Sequence, residues 1–170
     1  MIVVTLGTIP YPFNRALLWI DKLLKEGLIT EPIFIQYGMS DISILASHAD
    51  ITAASTVTSE ELLALVDKAR LVISHAGQGS TQMLAARGAS FILLPRLKRY
   101  REHIDDHQLG FAKSVESFGV RYCLSLVELH ESLLNPPPPS PRQLFEGPKL
   151  SKYLLEHYPA TDRTSLNYQQ

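Results

Sequence analysis

Leu71-Val-Ile-Ser-His-Ala-Gly-Gln-Gly-Ser80-Thr-Gln is the stretch whose reading decides the fold. Its first four residues read as a short buried strand, Gly77 and Gly79 as a turn, and a helix is expected to open near Ser80. Strand, glycine turn and helix in that order form the repeating unit of a parallel sheet. The turn also has a chemical reading. Glycine leaves backbone bare for close approach, and the free N–H groups and positive dipole end of the following helix suit a phosphate. The segment is a candidate pyrophosphate cradle, although a turn that only redirects the chain would be spelled the same way.

Outward from this unit, β-branched runs alternate with helical periodicity. Strands are expected at residues 2–6, 33–37, 50–54, 71–74, 91–94 and 120–124. Helices are expected behind a cap at Asn14, behind the capping box Thr58-Ser-Glu-Glu61, at Ser80, at Ile104 and behind the second box Ser125-Leu-Val-Glu128. Gly27, Gly88 and Gly119 stop three of them. The alternation predicts an α/β fold, a parallel sheet with helices on both faces. Right-handed crossovers then gather the loops at 7–8, 75–80 and 95–108 on the carboxyl edge, where ligands of such sheets bind. Residues 1–134 are expected to form this domain and 135–147 a Pro-rich linker. Residues 148–170 are expected as a final helix, with Leu150, Leu154 and Leu155 apolar, and a polar tail. The run Asn135-Pro-Pro-Pro-Pro-Ser-Pro141 reads as a stiff connector, with an SH3-type ligand as the other reading.

Composition narrows the function classes. A 170-residue chain that is 45% hydrophobic and 19% charged has the make-up of one globular domain with a real core. A formal net charge of −1 gives no electrostatic case for nucleic acid. The lone Cys123 excludes a disulfide framework and points to a reducing compartment. No basic leader or long apolar stretch follows Met1, so a cytoplasmic domain is expected.

The loops carry the chemistry. The turn at 75–80 lacks the Gly-Lys-Ser/Thr ending of a P-loop, and Gln82 stands where a dinucleotide fingerprint needs its third glycine. The second strand ends Gln36-Tyr37-Gly38 without an acidic residue, so a nicotinamide dehydrogenase is poorly supported. In Leu94-Pro-Arg-Leu-Lys-Arg-Tyr-Arg-Glu-His-Ile-Asp-Asp-His-Gln108, four cations, three carboxylates, two imidazoles and an amide crowd one loop. Acid and amide groups at a helix start suit sugar hydroxyls, which need donors and acceptors together. A solvated loop with Asp at a helix N-terminus is the plainer reading. His103 and His107, four apart, suggest a metal site with Asp106, but the pattern lacks a further fixed ligand, so no tightly bound metal is expected. In Thr5-Leu-Gly-Thr-Ile-Pro-Tyr-Pro-Phe-Asn-Arg15, Thr8 and the backbone of Gly7 are candidates for a phosphate or an acceptor. Arg15 stands at a helix start, where a cation is unfavourable, so it either meets an anion or reaches solvent.

Together these blocks resemble the C-terminal, donor-binding domain of glycosyltransferase family 28, the MurG family. They are most similar to its free-standing half-enzymes: PssE- or EpsF-type subunits of bacterial exopolysaccharide synthesis, and the small subunit of the eukaryotic dolichol-linked N-acetylglucosaminyltransferase. Gly7-Thr8 with Phe13-Asn14-Arg15, the block Val72 to Ser80, and Leu94-Pro95 with Glu102-His103 and Asp106-His107-Gln108 carry the resemblance, which covers roughly residues 1–134. It implies a Rossmann-like domain, the C-terminal half of a GT-B glycosyltransferase, with a UDP-sugar as substrate and a lipid-linked acceptor. By it, His75, Gly77, Gln78, Gly79 and Ser80 surround the diphosphate, Glu102 meets the ribose, and Asp106, His107 and Gln108 meet the sugar. His107 before Gln108 departs from the commoner endings of this block. A nearby Arg and the loop dipoles would stabilise the UDP leaving group without metal.

The chain's length leaves room for the donor half alone. The expected partner is a membrane-anchored acceptor-binding subunit that supplies the general base, with His75 only a weak local candidate. The acceptor is a polyprenyl-diphosphate-linked sugar, whose phosphates the basic run Arg96 to Arg101 would meet. A sensor without turnover and a self-sufficient homodimeric transferase are the alternatives.

Overall fold

The computed structural model describes residues 1–139, 141 and 144, and shows why the short apolar runs are strands. β1 (Ile2–Thr5), β2 (Ile33–Gln36), β4 (Leu71–His75) and β5 (Phe91–Leu94) are buried on both faces, apart from His75 at the end of β4. Near-continuous apolar sequence is what a parallel sheet covered on both sides requires. β3 (Ile51–Ala54) is half exposed at one edge, and the two-residue β6 (Arg121–Tyr122) closes the other. The order is β3-β2-β1-β4-β5-β6, every pair parallel. This is the doubly wound, Rossmann-like order, whose direction reverses between β1 and β4.

Side chains alternate between two layers, as a pleat of period two demands. Ile2, Val4, Leu71, Ile73, Ile92 and Leu94 pack in the layer of Leu17 and Ile20 from α1 (Asn14–Lys25) and Leu129 from α5 (Leu126–Leu134). Val3, Val72, Phe91 and Leu93 pack in the other, with Val66 of α2 (Ser59–Lys68), Leu84 of α3 (Gln78–Arg87) and Val115 of α4 (His107–Glu116). Both expected capping boxes form, at Thr58–Glu61 and Ser125–Glu128.

Several boundaries differ from the expectation, most of them for a local reason. Asn14 does not cap α1. Phe13 occupies that position, its N–H donates to Ser40 Oγ, and Asn14 Oδ1 accepts from Asp41 N. α3 begins at Gln78, two residues before Ser80, because Gly77 ends the turn. α4 begins at His107 and not at Ile104: residues 102–106 are committed to loop contacts, and Ile104 is exposed. β6 is two residues long, paired with Ile92 and Leu93 of β5.

The Pro-rich run expected as a connector packs back on the domain. Pro137 is buried and its carbonyl accepts from Ser90 Oγ at 2.6 Å, Pro141 lies against Gly88, and Leu144 is buried in the α2–α4 layer. The helix and tail expected at 148–170 lie outside the described residues. Among the described residues no helix is long and apolar enough to cross a membrane.

One glycine of the carboxyl edge is required by close approach. Gly38 has φ +58°, and a Cβ there would stand 2.3 Å from the carbonyl oxygen of Gly7. Gly27 has φ +68° but open space around it. Gly27→Ala is therefore expected to cost only the dihedral strain, about 1–2 kcal/mol. Gly38→Ala is expected to cost roughly 1–3 kcal/mol more, because backbone must move. Urea denaturation of both variants at pH 7 measures the difference, and equal losses would contradict the packing argument.

Candidate active site

Strand register builds the floor of the site. Thr5 lies opposite Gln36 on one side and Ser74 on the other, so three buried polar residues stand side by side near the carboxyl ends of β1, β2 and β4, where the strand order reverses. Gln36 satisfies its whole amide there. Oε1 accepts from Thr5 Oγ1 (3.0 Å) and Gly7 N (3.1 Å), while Nε2 donates to Gly7 O (3.0 Å) and Ser55 O (2.9 Å). An amide can do all four because it carries both donors and acceptors. Gln36 thus clamps the Gly7 turn, which has φ +79°. Its place at the end of β2 was visible in the sequence, but its inward direction was not.

Above this floor lies a cavity of about 230 Å³, walled by Gly7, Thr8, His75 and Ser80, with Val57 and Leu62 from the α2 side. Two of the residues expected at the diphosphate, His75 and Ser80, thus meet Gly7 and Thr8, the candidates for a phosphate or an acceptor, in one crevice. A larger cavity, about 640 Å³, lies beside edge strand β6 and includes none of the expected residues. Glu116, Glu128 and Glu131 outnumber Arg121 in its lining, which disfavours an anion. The crevice at the strand-order reversal is the better candidate on chemical grounds.

His75 is held by its backbone neighbours. Its Nδ1 stands 3.2 Å from Thr5 O, and a carbonyl only accepts, so that nitrogen bears the proton and Nε2 keeps its lone pair. The ring fits because two glycines make room. A Cβ at Gly7 would come within 2.9 Å of Nε2 and one at Gly77 within 2.4 Å. The space beside Gly7 and Gly77 is therefore filled by imidazole. At Gly79, by contrast, nothing lies within 4 Å of an added Cβ, so this is the glycine that leaves open access to backbone. It stands in the first turn of α3, which no side chain caps, beside exposed Gln78 and half-buried Ser80. Of this turn only Ser80 lines the crevice, and the N–H groups and dipole end beside it have the chemistry that suits an anion.

The remaining expected residues are placed elsewhere along the same edge. Arg15 meets an internal anion. Its Nε and Nη2 donate to the two oxygens of Glu102 at 2.8 Å each, and Nη2 also donates to Pro95 O. The guanidinium lies over Trp19, 4.6 Å from the ring centre, and near Tyr100. Glu102 is buried and also accepts from Leu97 N, so the carboxylate expected at the ribose is occupied within the protein. Arg15 and Glu102 border a separate groove with Pro12, Leu18, Trp19 and Tyr100.

Arg96 departs furthest from its expected role. Placed by sequence in a basic run facing acceptor phosphates, it is wholly buried. Its Nη1 donates to Tyr11 O and Glu102 O, its Nη2 to Leu6 O, and Phe13 packs against it. Burial pulls its pKa down to about 10, opposed by the Glu102 charge, so it remains a cation at neutral pH. Lys98, Arg99 and Arg101 are the exposed members of the run.

Gln108 is buried, its Oε1 accepting from Arg96 N. Asp106 precedes α4 and accepts from Lys98 N at 2.8 Å, and exposed His107 contacts Asp105. Asp106, His107 and Gln108 do not line the crevice, and neither do Arg15, Glu102, Gly77, Gln78 or Gly79.

Residues 1–152 match the family described as glycosyltransferase family 28 C-terminal domain. Comparison with curated proteins gives no match.

The buried ring makes stability depend on pH. Withdrawal from water lowers the His75 pKa to about 4, helped by the Arg96 charge and opposed by the bond to Thr5 O. The unfolded chain, with an ordinary histidine near pH 6.5, binds the proton more readily than the folded one. The neutral ring's contribution is therefore complete above about pH 6.5 and is lost as pH falls toward 4, by roughly 3 kcal/mol at most. Urea denaturation at pH 7 and pH 4.5 is expected to show a smaller acid loss for His75→Gln than for wild type. An equal loss would mean that His75 titrates normally.

Proposed function

From the premise that the chain belongs to the glycosyltransferase family 28 C-terminal domain family, we propose that it is the donor-binding subunit of a two-component inverting glycosyltransferase. It takes a sugar from a UDP-sugar and, with a membrane-anchored partner, delivers it to a lipid-linked acceptor in polysaccharide synthesis. The observation that carries this reading is the crevice at the strand-order reversal, which Ser80 joins to the uncapped first turn of α3, next to Gly79 with open space around it. Family membership supports sugar transfer, and the crevice chemistry supports a diphosphate as the anchored group.

The roles follow from the geometry. N–H groups at residues 78–80 receive the diphosphate, and the α3 dipole contributes about 0.3–1 kcal/mol, up to ~2 where partly buried. These contacts strengthen as UDP departs, because the leaving group gains negative charge. His75, neutral with its Nε2 lone pair free, accepts a hydrogen bond from a ligand O–H or N–H. It has a proton to give only after taking one up. Deprotonation of the acceptor hydroxyl falls to a base on the partner. Exposed Asp106 remains available for sugar hydroxyls, and Lys98, Arg99 and Arg101 for phosphates of a polyprenyl-diphosphate acceptor. Arg15 and Arg96, held internally, do not take that part. The partner would keep the subunit at the cytoplasmic face of the membrane.

Gly79→Asp tests the site without disturbing packing, since nothing stands near that position. A carboxylate there is expected to weaken UDP binding at least tenfold, about 1.4 kcal/mol, while the surface change shifts stability by less than about 0.5 kcal/mol. Titration calorimetry with UDP and a melting curve read the two quantities, and unchanged affinity would remove the crevice as the donor site. UDP release, assayed with lipid acceptor with and without the product of the adjacent reading frame, tests the division of labour. Turnover by this chain alone would overturn it, and binding without turnover beside the partner would make the chain a sensor.

A further inference from the structure

The loop leading into α4 brings together two imidazoles and a carboxylate that the crevice does not use. His103 Nδ1 lies 3.2 Å and His107 Nδ1 2.5 Å from the same oxygen, Oδ1 of Asp105. The ligand atoms of these three residues fall within 4.8 Å of one another. Sequence spacing alone pairs the histidines with Asp106, but Asp106 is turned away to cap Lys98 N. Its neighbour Asp105 takes the central position. The turn thus exchanges Asp106 for Asp105 as the carboxylate beside the two imidazoles.

We propose that His103, Asp105 and His107 form a binding site for a divalent d-block cation such as Zn²⁺, with the remaining coordination positions open to water. Two imidazoles and one carboxylate are a donor set for zinc, cobalt or nickel, whereas magnesium and calcium prefer all-oxygen sites. With metal–ligand bonds of about 2.0–2.2 Å, neighbouring donors of a tetrahedral ion stand roughly 3.3–3.5 Å apart. The His103–Asp105 spacing already meets this, and His107, whose side chain is exposed, needs to open by about 1 Å.

Two features hold the donors ready. Asp105 Oδ1 also accepts from His107 N at 3.1 Å, which orients the carboxylate from the main chain. The His103 ring is largely buried and stacks on Tyr11, with centroids 5.9 Å apart, so only one of the three ligands must move. An outer contact that orients a ligating imidazole is what a metal site requires besides its ligands. A bound ion would join His103, backed by the β1–α1 loop, to the first turn of α4. It would thereby tie together two loops of the carboxyl edge. The inference rests on this loop geometry and not on the donor reading.

The test uses the full 170-residue chain with any affinity tag removed, titrated with Zn²⁺ alone. One ion per chain is expected, with Kd at least tenfold weaker in His103→Ala and in Asp105→Asn and unchanged in His130→Ala. Co²⁺ in place of Zn²⁺ is expected to give visible d–d absorption that Asp105→Asn abolishes. Binding is also expected to weaken as pH falls from 7.5 to 6, because the imidazoles must be deprotonated to ligate. Equal Zn²⁺ affinity in wild type and Asp105→Asn, with both folded by melting curve, overturns the site. UDP titration of the same samples separates this result from the fate of the donor crevice.

Discussion

The carboxyl edge of this domain depends on one buried cation. Arg96 sits at the end of β5 with no exposed surface, and its guanidinium binds carbonyls from both sides of the sheet's reversal point: Leu6 and Tyr11 from the β1–α1 loop, and Glu102 from its own loop. Removing such a charge from water costs several kcal/mol even after relaxation. Hydrogen bonds to a charged donor, about 1.5–3 kcal/mol each, offset a cost of that size. The net contribution to stability is therefore small, but the geometric consequence is large. Loops joined through one guanidinium cannot move independently without leaving carbonyls or charge unsatisfied.

Glu102 and Arg15 extend this constraint outward. Glu102 gives its carbonyl to Arg96 and its carboxylate to Arg15 and Leu97 N, so one residue links the buried cation to the start of α1. The unfavourable place of Arg15 at a helix N-terminus is compensated by this fork and by the Phe13, Trp19 and Tyr100 rings around it. On the other side of the reversal point, Gln36 clamps Gly7 with all of its polar groups used, whereas Arg15 Nη1 and Arg96 Nε are buried without a hydrogen-bond partner. The crevice is lined by Gln36 and the Gly7 turn that it clamps, so this wall is pre-formed.

The order of strands and helices was legible because each element announces itself locally, through apolar runs, capping boxes and terminal glycines. The direction of the polar side chains was not. Arg96, Glu102 and Gln108 sit in a loop whose composition suits ligand binding, yet all three are buried and partnered inside the protein. Nothing in the residues near Glu102 indicates that its partner lies 87 positions away, at Arg15. The glycine turn shows the same limit. Gly7 and Gly77 read as bare backbone for a ligand, but the room they leave accommodates His75, and only Gly79 is open. A local pattern shows where backbone is bare, while the filling of that space is decided by residues far along the chain.

The placement of charge then bears on how the crevice works. Among the residues that line it, His75 is neutral at pH 7 and no other is ionisable. Both arginines that sequence offered as helpers are committed elsewhere. A diphosphate held there would face the end of α3, equivalent to roughly half a positive charge, and backbone N–H groups. Against two or more negative charges this leaves an excess that solvent or another group must neutralise. The exposed cations of the 95–108 loop, Lys98, Arg99 and Arg101, stand open to solvent, where screening is strong. Closing the crevice against a second surface would exclude that solvent and strengthen the helix dipole at the moment charge develops on the leaving group. A donor site built from dipoles in place of fixed cations gains most of its electrostatic strength on being covered, so full stabilisation of the leaving group would come only when the acceptor side closes over it.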